Sequence, residues 1–312
     1  MEIIRRLERS EQPTSVALGF FDGVHQGHMS VIGEAVSYAQ KNNLVPAVFT
    51  MSQSPRSVLT GKSVEGIITN EEKISIFEKL GVQKAYILDF RDIMGLSAEE
   101  FVDRIIVRCF NAKHTACGFN YHFGSGGKGD GNTLHKMCTE KGITVAMQNQ
   151  VDYNGQPISS TRIRQSIADG DIVSVNIMLG REYGFKLPVI HGRQLGRKIG
   201  TPTINQRFPL GLVYPSFGVY ASVVDIAGKL YCGVTNVGVK PTVGCDEVLI
   251  ETWMPDYNGE ELYDESIDVR FIGHIRNERK FGSIDSLKDE IVRNSVQAKN
   301  IFQNYMKERA SK

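Results

Sequence analysis

The sequence lacks the long apolar run that a membrane-spanning helix needs. Its longest uncharged stretch, residues 208–224, is interrupted by two prolines and two glycines, whereas a spanning helix takes about 20 consecutive apolar residues. The amino terminus also lacks the apolar core of a signal peptide. We therefore expect a cytoplasmic protein with no membrane partner.

Paired cysteines are missing as well. The chain has five cysteines, an odd number, and none of them forms a C-x-x-C pair. Disulfide frameworks normally use an even number of cysteines, and structural zinc sites use closely spaced pairs. The cysteine pattern argues against both and favours free thiols in a reducing compartment.

An excess of either charge is also absent. The 36 lysines and arginines nearly balance the 35 aspartates and glutamates, which gives a formal net charge of +1. Proteins that bind a nucleic-acid backbone usually carry a basic surplus, so we expect no nucleic-acid partner. The 312 residues are enough for about two globular domains.

The first part of the chain alternates short apolar runs with helical patterns. The predicted strands are Val16–Leu18, Leu44–Phe49, Lys84–Leu88, His114–Gly118 and Ile143–Met147. Predicted helices run from near His28 to Lys41, from Thr69 towards Gly81, and from a capping box at Ser97 to Phe110. This alternation is typical of an α/β fold with a doubly wound parallel sheet, which binds ligands at the carboxyl ends of its strands.

After about Gly180 the chain becomes richer in glycine and proline, and short β-rich runs follow one another. These runs are Pro188–His191, Gly218–Val224, Leu230–Val234, Val248–Trp253 and Ile267–Ile272. Their spacing indicates a small antiparallel β-barrel or sandwich. An amphipathic helix is predicted from Ser283 to about Lys307. We predict two domains, residues 1–180 and 181–312.

The string GFFDGVHQGH, residues 19–28, joins a predicted strand end to a predicted helix start. Glycines let a ligand approach the backbone closely, and a helix amino terminus favours an anion. His25 and His28 can both face one phosphate and donate hydrogen bonds to charge that develops at phosphorus. A zinc site is disfavoured because no third ligand lies nearby. The simplest alternative is a surface turn with two histidines.

Two further strings lie in the first part of the chain. Residues 118–130, GFNYHFGSGGKGD, contain G-x-G-x-x-G at Gly124, Gly126 and Gly129. A dinucleotide-binding fingerprint has this spacing, but these glycines do not directly follow the strand, and a glycine loop without a ligand is an alternative. Residues 158–164, ISSTRIR, place two arginines in a first helical turn, where a bound anion would offset their unfavourable position.

The second part carries HGRQLGRKIGTPTIN at residues 191–205. Glycines interleaved with basic residues suit a polyphosphate, and Thr203 and Asn205 offer the oxygen ligands that Mg²⁺ prefers. Glu251, in a later β-rich run, is a candidate general base for a hydroxyl nucleophile. The alternative is a basic turn followed by an edge strand, with Glu251 in solvent.

In this order, and together with LGREY, PTIN, GVY and IRNERKF further on, these strings resemble the prokaryotic bifunctional riboflavin kinase/FMN adenylyltransferase family over nearly the whole chain. The resemblance implies a Rossmann-like nucleotidyltransferase domain at residues 1–180. It implies a riboflavin kinase barrel with a carboxy-terminal helix at residues 181–312. The implied reactions are riboflavin plus ATP to FMN in the barrel, and FMN plus ATP to FAD and pyrophosphate in the first domain, with Mg²⁺ accompanying ATP.

The resemblance also implies roles for individual residues. In the kinase, Glu251 would be the base and Thr203 and Asn205 the metal ligands. The implied kinase ATP site comprises Gly192, Gly196, Arg197, Gly200, Pro202, Thr203 and Asn205, and the implied flavin site Glu251, Arg276, Glu278 and Phe281. In the adenylyltransferase, His25 and His28 would be catalytic, and the nucleotide would contact Gly19, Phe20, Asp22, Gly23, Asn120, Ser160, Thr161 and Arg164.

Several residues depart from the family pattern. In the first domain the family usually has Asn at Phe20, His at Ser54, a basic residue at Pro157 and Arg at His122. In the second domain the usual His, Gly and Asp are replaced by Trp253, Asp264 and Asn294. Three alternatives therefore stay open: a riboflavin kinase with a degenerate adenylyltransferase domain, a flavin-binding protein without catalysis, and an NAD-linked oxidoreductase that uses the Gly124 loop.

Overall fold

The computed structural model describes residues 1–192, 200–242 and 245–311. The chain folds as two compact units, unit 1 (Met1–Ser160) and unit 2 (Thr161–Lys312). The domain boundary that the sequence places at Gly180 stays a prediction.

Unit 1 contains the alternating strands and helices that the sequence predicts. Its strands are β1 (Glu2–Ile4), β2 (Thr14–Leu18), β3 (Val45–Met51), β4 (Lys84–Leu88), β5 (Ala112–Gly118), β6 (Thr144–Gln148), β7 (Asp152–Tyr153) and β8 (Gln156–Pro157). Its helices are α1 (Gln26–Lys41), α2 (Pro55–Thr60), α3 (Asn70–Lys79), α4 (Ala98–Glu100) and α5 (Gly131–Thr139), with 3₁₀ turns at Phe90–Asp92 and Ser125–Gly127.

The main sheet of unit 1 has the order β1-β4-β3-β2-β5-β6, and all of its neighbouring strands are parallel. Every residue of β2 and β3 is buried, as expected for parallel strands covered on both faces. The strand order reverses between β2 and β5, which is the topological switch point where doubly wound folds bind ligands. The predicted Rossmann-like fold is confirmed.

Local signals set several helix starts in unit 1. Thr69 accepts a hydrogen bond from the backbone N–H of Glu72 at the start of α3, and Ser97 and Glu100 form the predicted capping box. The helix predicted from Ser97 to Phe110 is present, but after α4 it continues as a π-helix over Phe101–Cys109. Capping residues therefore fix where these helices begin, and they do not fix the hydrogen-bond pattern further along.

Unit 2 contains helices α6 (Ser160–Ala168, which begins at the last residue of unit 1), α7 (Ile172–Leu179) and α8 (Ile284–Ala310). Its strands are β9 (Tyr183–Pro188), β10 (Thr203–Arg207), β11 (Gly218–Ile226), β12 (Lys229–Thr242), β13 (Cys245–Trp253) and β14 (Ser266–Asn277). They form an antiparallel sheet with the order β10-β13-β12-β11-β14-β9.

The sheet of unit 2 curls so that its first and last strands approach each other. The side-chain amide of Gln206 on β10 donates to the carbonyl oxygens of Leu187 on β9 (2.7 Å) and Ile267 on β14 (2.9 Å). Helix α8 covers one face of this sheet, with Ala298 fully buried against it. The predicted antiparallel barrel with a carboxy-terminal helix is confirmed.

One predicted strand is displaced. The sequence places a strand at Pro188–His191, whereas β9 occupies Tyr183–Pro188. Proline has no N–H to donate to a sheet, and here it ends the strand instead of starting it. Among the described residues, no helix is both long and apolar enough to cross a membrane.

Candidate functional site

The first candidate site lies at the switch point of unit 1. Leu18, the last residue of β2, pairs with Cys117 near the end of β5. Gly19 therefore begins its turn beside Gly118, and Asn120 follows two residues later on the surface. The string at residues 19–28 and the predicted contact residue Asn120 therefore lie at the same edge of the sheet, where β2 and β5 end.

The turn after β2 has an unusual backbone. Phe21, Gly23 and Val24 have positive φ angles of 54°, 79° and 39°. A left-handed conformation costs a non-glycine residue roughly 1–2 kcal/mol, and such strain is often found at functional sites. The buried Asp22 side chain accepts a hydrogen bond from the backbone N–H of Ile67 at 3.0 Å, which ties the turn to a distant segment.

The two histidines of the turn lie together. Their rings are stacked with centroids 3.6 Å apart and planes 19° apart, and His25 caps α1 by accepting from the backbone N–H of His28 at 3.3 Å. The first turn of α1 contains no acidic residue. An anion at this helix amino terminus would meet both the positive end of the helix dipole and two adjacent imidazoles.

The ISSTRIR string reaches the same turn. The hydroxyl of Ser160 donates to the backbone oxygen of Asp22 at 2.9 Å, so the structure brings these two predicted site residues together. Thr161 and Arg164 follow on α6 and belong to unit 2.

The glycine loop after β5 does not have the geometry of a dinucleotide fingerprint, in which a strand leads directly through a glycine turn into a helix. Phe123 and Gly129 form an antiparallel bridge, and α5 begins only at Gly131. A Cβ on Gly124 would lie 2.9 Å from the backbone nitrogen of Ala98, so the loop packs against the start of α4. These contacts account for a glycine at position 124 without a ligand.

The second candidate site lies on the sheet of unit 2. Glu251 on β13 pairs with Asn205 on β10 and with Asn236 on β12. Thr203 pairs with Trp253, two residues from Glu251. Because directly paired residues and residues two apart share one face of a sheet, the predicted metal ligands and the predicted base point to the same side.

Asn205 is held in this site by the chain that precedes it. It is buried, and its backbone oxygen accepts from the N–H of Ile190 at 2.8 Å. A Cβ on Gly192 would lie 2.7 Å from the Asn205 side chain, so only glycine allows this close approach. Two residues of the predicted ATP site, Gly196 and Arg197, lie outside the described residues.

The IRNERKF segment borders the same region. A Cβ on Gly238 would lie 2.8 Å from a carboxylate oxygen of Glu278 and 3.5 Å from the side-chain nitrogen of Asn236. Asn236 is in turn the sheet partner of Glu251. The predicted flavin residue Glu278 therefore lies against β12, the strand that neighbours the predicted base Glu251.

Sequence reasoning missed an ion cluster behind this segment, which we call the Glu290 cluster. The Glu290 carboxylate on α8 pairs with Arg276 (3.3 Å), with Arg293 (3.2 Å) and with Arg279. Burial lowers the pKa of Arg276, and the Glu290 charge opposes this effect. The predicted flavin residue Phe281 has Arg276 and Arg279 at 5.4 and 5.0 Å from its ring centroid.

Asn294 belongs to the same cluster. With its amide oriented to satisfy its neighbours, it donates to Glu290 at 3.3 Å and accepts from Arg276 at 3.2 Å. The i, i+3 pair Glu290–Arg293 and the i, i+4 pair Glu290–Asn294 are visible in the sequence as local signals. The other contacts join residues that are distant along the chain.

The fold and the two sites define a protein in which a Rossmann-like nucleotidyltransferase unit precedes a flavokinase-type barrel. The family model described as FAD synthetase matches residues 7–162, and the one described as riboflavin kinase matches residues 179–302. The chain belongs to the bifunctional riboflavin kinase/FMN adenylyltransferase family.

Individual relatives match along nearly their whole length. The bifunctional riboflavin kinase/FMN adenylyltransferase of Bacillus subtilis (strain 168) is 37% identical, with 96% of each chain covered. The protein of the same name from Pseudomonas fluorescens is 33% identical, with 93% of this chain and 94% of the relative covered. A crystal structure described as a macrolide-efflux protein from Streptococcus pneumoniae is 30% identical with a TM-score of 0.86, covering 96% of this chain and 99% of that one.

Proposed function

We propose that this chain phosphorylates riboflavin to FMN in the barrel and adenylylates FMN to FAD in the nucleotidyltransferase unit. The observation that carries the proposal is that each half of the chain matches its own family model. Relatives named for both activities align with nearly the whole length of the chain. This favours the bifunctional enzyme over a kinase with a degenerate first domain, over a flavin-binding protein and over an NAD-linked oxidoreductase.

In the kinase reaction, the terminal hydroxyl of the riboflavin side chain attacks the γ-phosphorus of ATP, and the bond to the ADP oxygen breaks. We propose that Glu251 accepts the hydroxyl proton. Its pairing with Asn205 and Asn236 on one sheet face supports this role. Phosphoryl transfer depends mainly on positioning and charge stabilisation. The reaction therefore needs few catalytic side chains, and one base beside hydroxyl and amide groups is enough.

The donor set beside Glu251 fits Mg²⁺. The Thr203 hydroxyl and the Asn205 amide oxygen lie on the same sheet face, and Mg²⁺ prefers oxygen ligands. When bound with ATP, the ion would neutralise charge on the transferred phosphate. Gly192, Gly200 and Pro202 would line the nucleotide, and Arg276, Glu278 and Phe281 would contact the flavin.

In the adenylyl transfer, a phosphate oxygen of FMN attacks the α-phosphorus of ATP, and pyrophosphate leaves. We propose that His25 and His28 donate hydrogen bonds to the charge that develops there. Their stacked arrangement at the amino terminus of α1 supports this role. Gly19, Phe20, Asp22, Gly23, Asn120, Ser160, Thr161 and Arg164 would contact the nucleotide. The cytoplasmic location stays a prediction from the sequence.

A single chromatographic time course tests both halves of the proposal. Purified protein is incubated with riboflavin, ATP and Mg²⁺, and the flavins are separated. We expect FMN to appear first and FAD to follow. Accumulation of FMN without FAD would contradict the adenylyltransferase half. Supplied FMN that becomes FAD, with no conversion of riboflavin, would contradict the kinase half.

A further inference from the structure

Lys73 is an unusual lysine close to the strained turn of unit 1. It lies on α3, and only 5% of its surface is exposed, whereas lysine is almost never fully buried unless it is paired. Among the residues that the structure describes, its ammonium makes no hydrogen bond and no ion pair within 4 Å. Its neighbours are the Phe20 ring, 5.1 Å away at the centroid, and the charge of Asp22.

The segment that carries Lys73 is anchored to the turn. The backbone N–H of Ile67 donates to Asp22, and a Cβ on Gly23 would lie 2.9 Å from the Ile67 side chain. Further along, Phe77 on α3 packs edge-on against Phe21 at 6.0 Å. These contacts fix the position of the ammonium beside the residues that precede His25.

A cation on a side chain that is largely buried is poorly hydrated, and a ligand that supplies the opposite charge would stabilise it. Burial lowers the pKa of Lys73 to about 8, and Asp22 partly opposes this shift, so the group is still largely protonated near pH 7. Lysine is a common point-charge ligand for phosphate.

We propose that Lys73 binds a phosphate group of the substrates in unit 1. This inference rests on the proposed adenylyl transfer, in which both ATP and FMN bring phosphates to the turn. A hydrogen bond to a charged group is worth about 1.5–3 kcal/mol, which corresponds to a roughly ten- to hundredfold change in affinity.

Lys73→Met tests the proposal, because methionine keeps much of the side-chain volume and removes the charge. The matched control is Lys79→Met, which removes a charge from the exposed end of the same helix. In FAD formation we expect Lys73→Met to raise the apparent KM for ATP or for FMN roughly ten- to hundredfold. The substrate whose KM rises is the one whose phosphate Lys73 binds. Lys79→Met should change neither KM.

Calorimetric titration with FAD separates this proposal from the proposed function, since FAD carries both phosphates and needs no turnover to bind. A wild-type protein that binds FAD without forming it would contradict the proposed activity, and weaker FAD binding by Lys73→Met would still support the lysine. Equal FAD affinity in the two proteins would overturn the inference. A loss of folding in Lys73→Met would also overturn it, because the ammonium would then have a structural role. Absence of FAD binding by the wild type would overturn both proposals.

Discussion

Lys73 in unit 1 and Glu290 in unit 2 are both buried charged side chains beside a candidate site, and their surroundings differ. Lys73 in unit 1 is 5% exposed, and its ammonium lies 5.1 Å from the centroid of the Phe20 ring. Glu290 in unit 2 is 7% exposed and pairs with three arginines. Similar burial therefore accompanies one charge that has no ion-pair partner in the described part of the chain and one charge that is paired several times.

This difference separates two uses of buried charge. A carboxylate inside a network of guanidinium groups holds segments together, and removing it leaves charges uncompensated. A largely buried cation without a protein partner does not stabilise the fold, and it is available to a ligand. We therefore expect substitution of Glu290 to lower the stability of unit 2, and substitution of Lys73 to weaken substrate binding by unit 1.

The largest expected effects separate the two sites by reaction. Glu251→Gln should lower the rate of FMN formation roughly 100- to 10,000-fold, as expected for loss of a general base. The same variant should convert supplied FMN to FAD at the wild-type rate.

His28→Ala should lower FAD formation roughly 100- to 1,000-fold, as for loss of a charge-stabilising donor, and should leave FMN formation unchanged. Chromatography of the flavins measures both rates in one experiment.

A loss of both activities in a folded Glu251→Gln protein would contradict this division of labour. The relevant control is Glu247→Gln on the same strand, where the carboxylate pairs with Arg207 near the surface. That change should leave both reactions intact.

A smaller but still large effect is expected in the stability of unit 2. Glu290→Gln leaves the partly buried Arg276 without its carboxylate, and breaking a buried pair costs about 3–5 kcal/mol. Arg279 and Arg293 are 50% and 68% exposed at the side chain, so solvent screens part of the loss and we expect about 3 kcal/mol. The single tryptophan, Trp253, lies in unit 2, and its fluorescence during urea unfolding reports on this unit.

The double variant Glu290→Gln, Asn294→Asp is the matched control for that change. It moves the carboxylate by four residues along the same helix face, to a position already in contact with Arg276. We expect it to recover more than half of the lost stability and to lower the KM for riboflavin relative to Glu290→Gln. A double variant as unstable as the single one would show that the charge pairing is not the stabilising feature.

The sequence predicts the parts of this molecule that depend on neighbouring residues. Strand β4 occupies the predicted Lys84–Leu88, and the capping box at Ser97 is present, because both depend on short-range patterns. Strand β1 has only three residues and is defined by its pairing with β4, so no local pattern could predict it.

The burial of Lys73 and Glu290 could not be predicted from the sequence either, because it depends on contacts with distant segments of the chain. Lys73 follows two glutamates on a helix and has the pattern of a solvent-facing residue. It is buried because α3 packs on a turn about 50 residues earlier in the chain. The Glu290 cluster likewise joins β14, the following loop and α8. Motif order predicts which residues carry the chemistry, but it does not show which distant side chains support them.

The smallest expected effect is a pH dependence in unit 1. This unit contains a second group that can become a cation and that has no charged partner among the residues the structure describes. His114 on β5 is 2% exposed and stacks on Tyr38 with ring centroids 3.8 Å apart. The Thr144 hydroxyl donates to the backbone oxygen of Lys113, so it accepts from His114 Nδ1 at 2.8 Å. Nε2 is buried and has no hydrogen-bond partner within the described residues, so a proton there would be unsatisfied.

Burial accordingly lowers the pKa of His114 from 6.5 to about 4. Between these values the unfolded chain binds a proton that the folded chain does not, so unit 1 should lose stability as the pH falls from about 6.5 to about 4. The shift corresponds to about 2–3 kcal/mol over this window. Far-ultraviolet circular dichroism during urea unfolding measures the loss, with Trp253 fluorescence as the separate signal for unit 2. His114→Gln, which does not titrate, should remove most of this dependence. If the stability of the variant falls with pH as steeply as that of the wild type, His114 is not the source of the pH dependence.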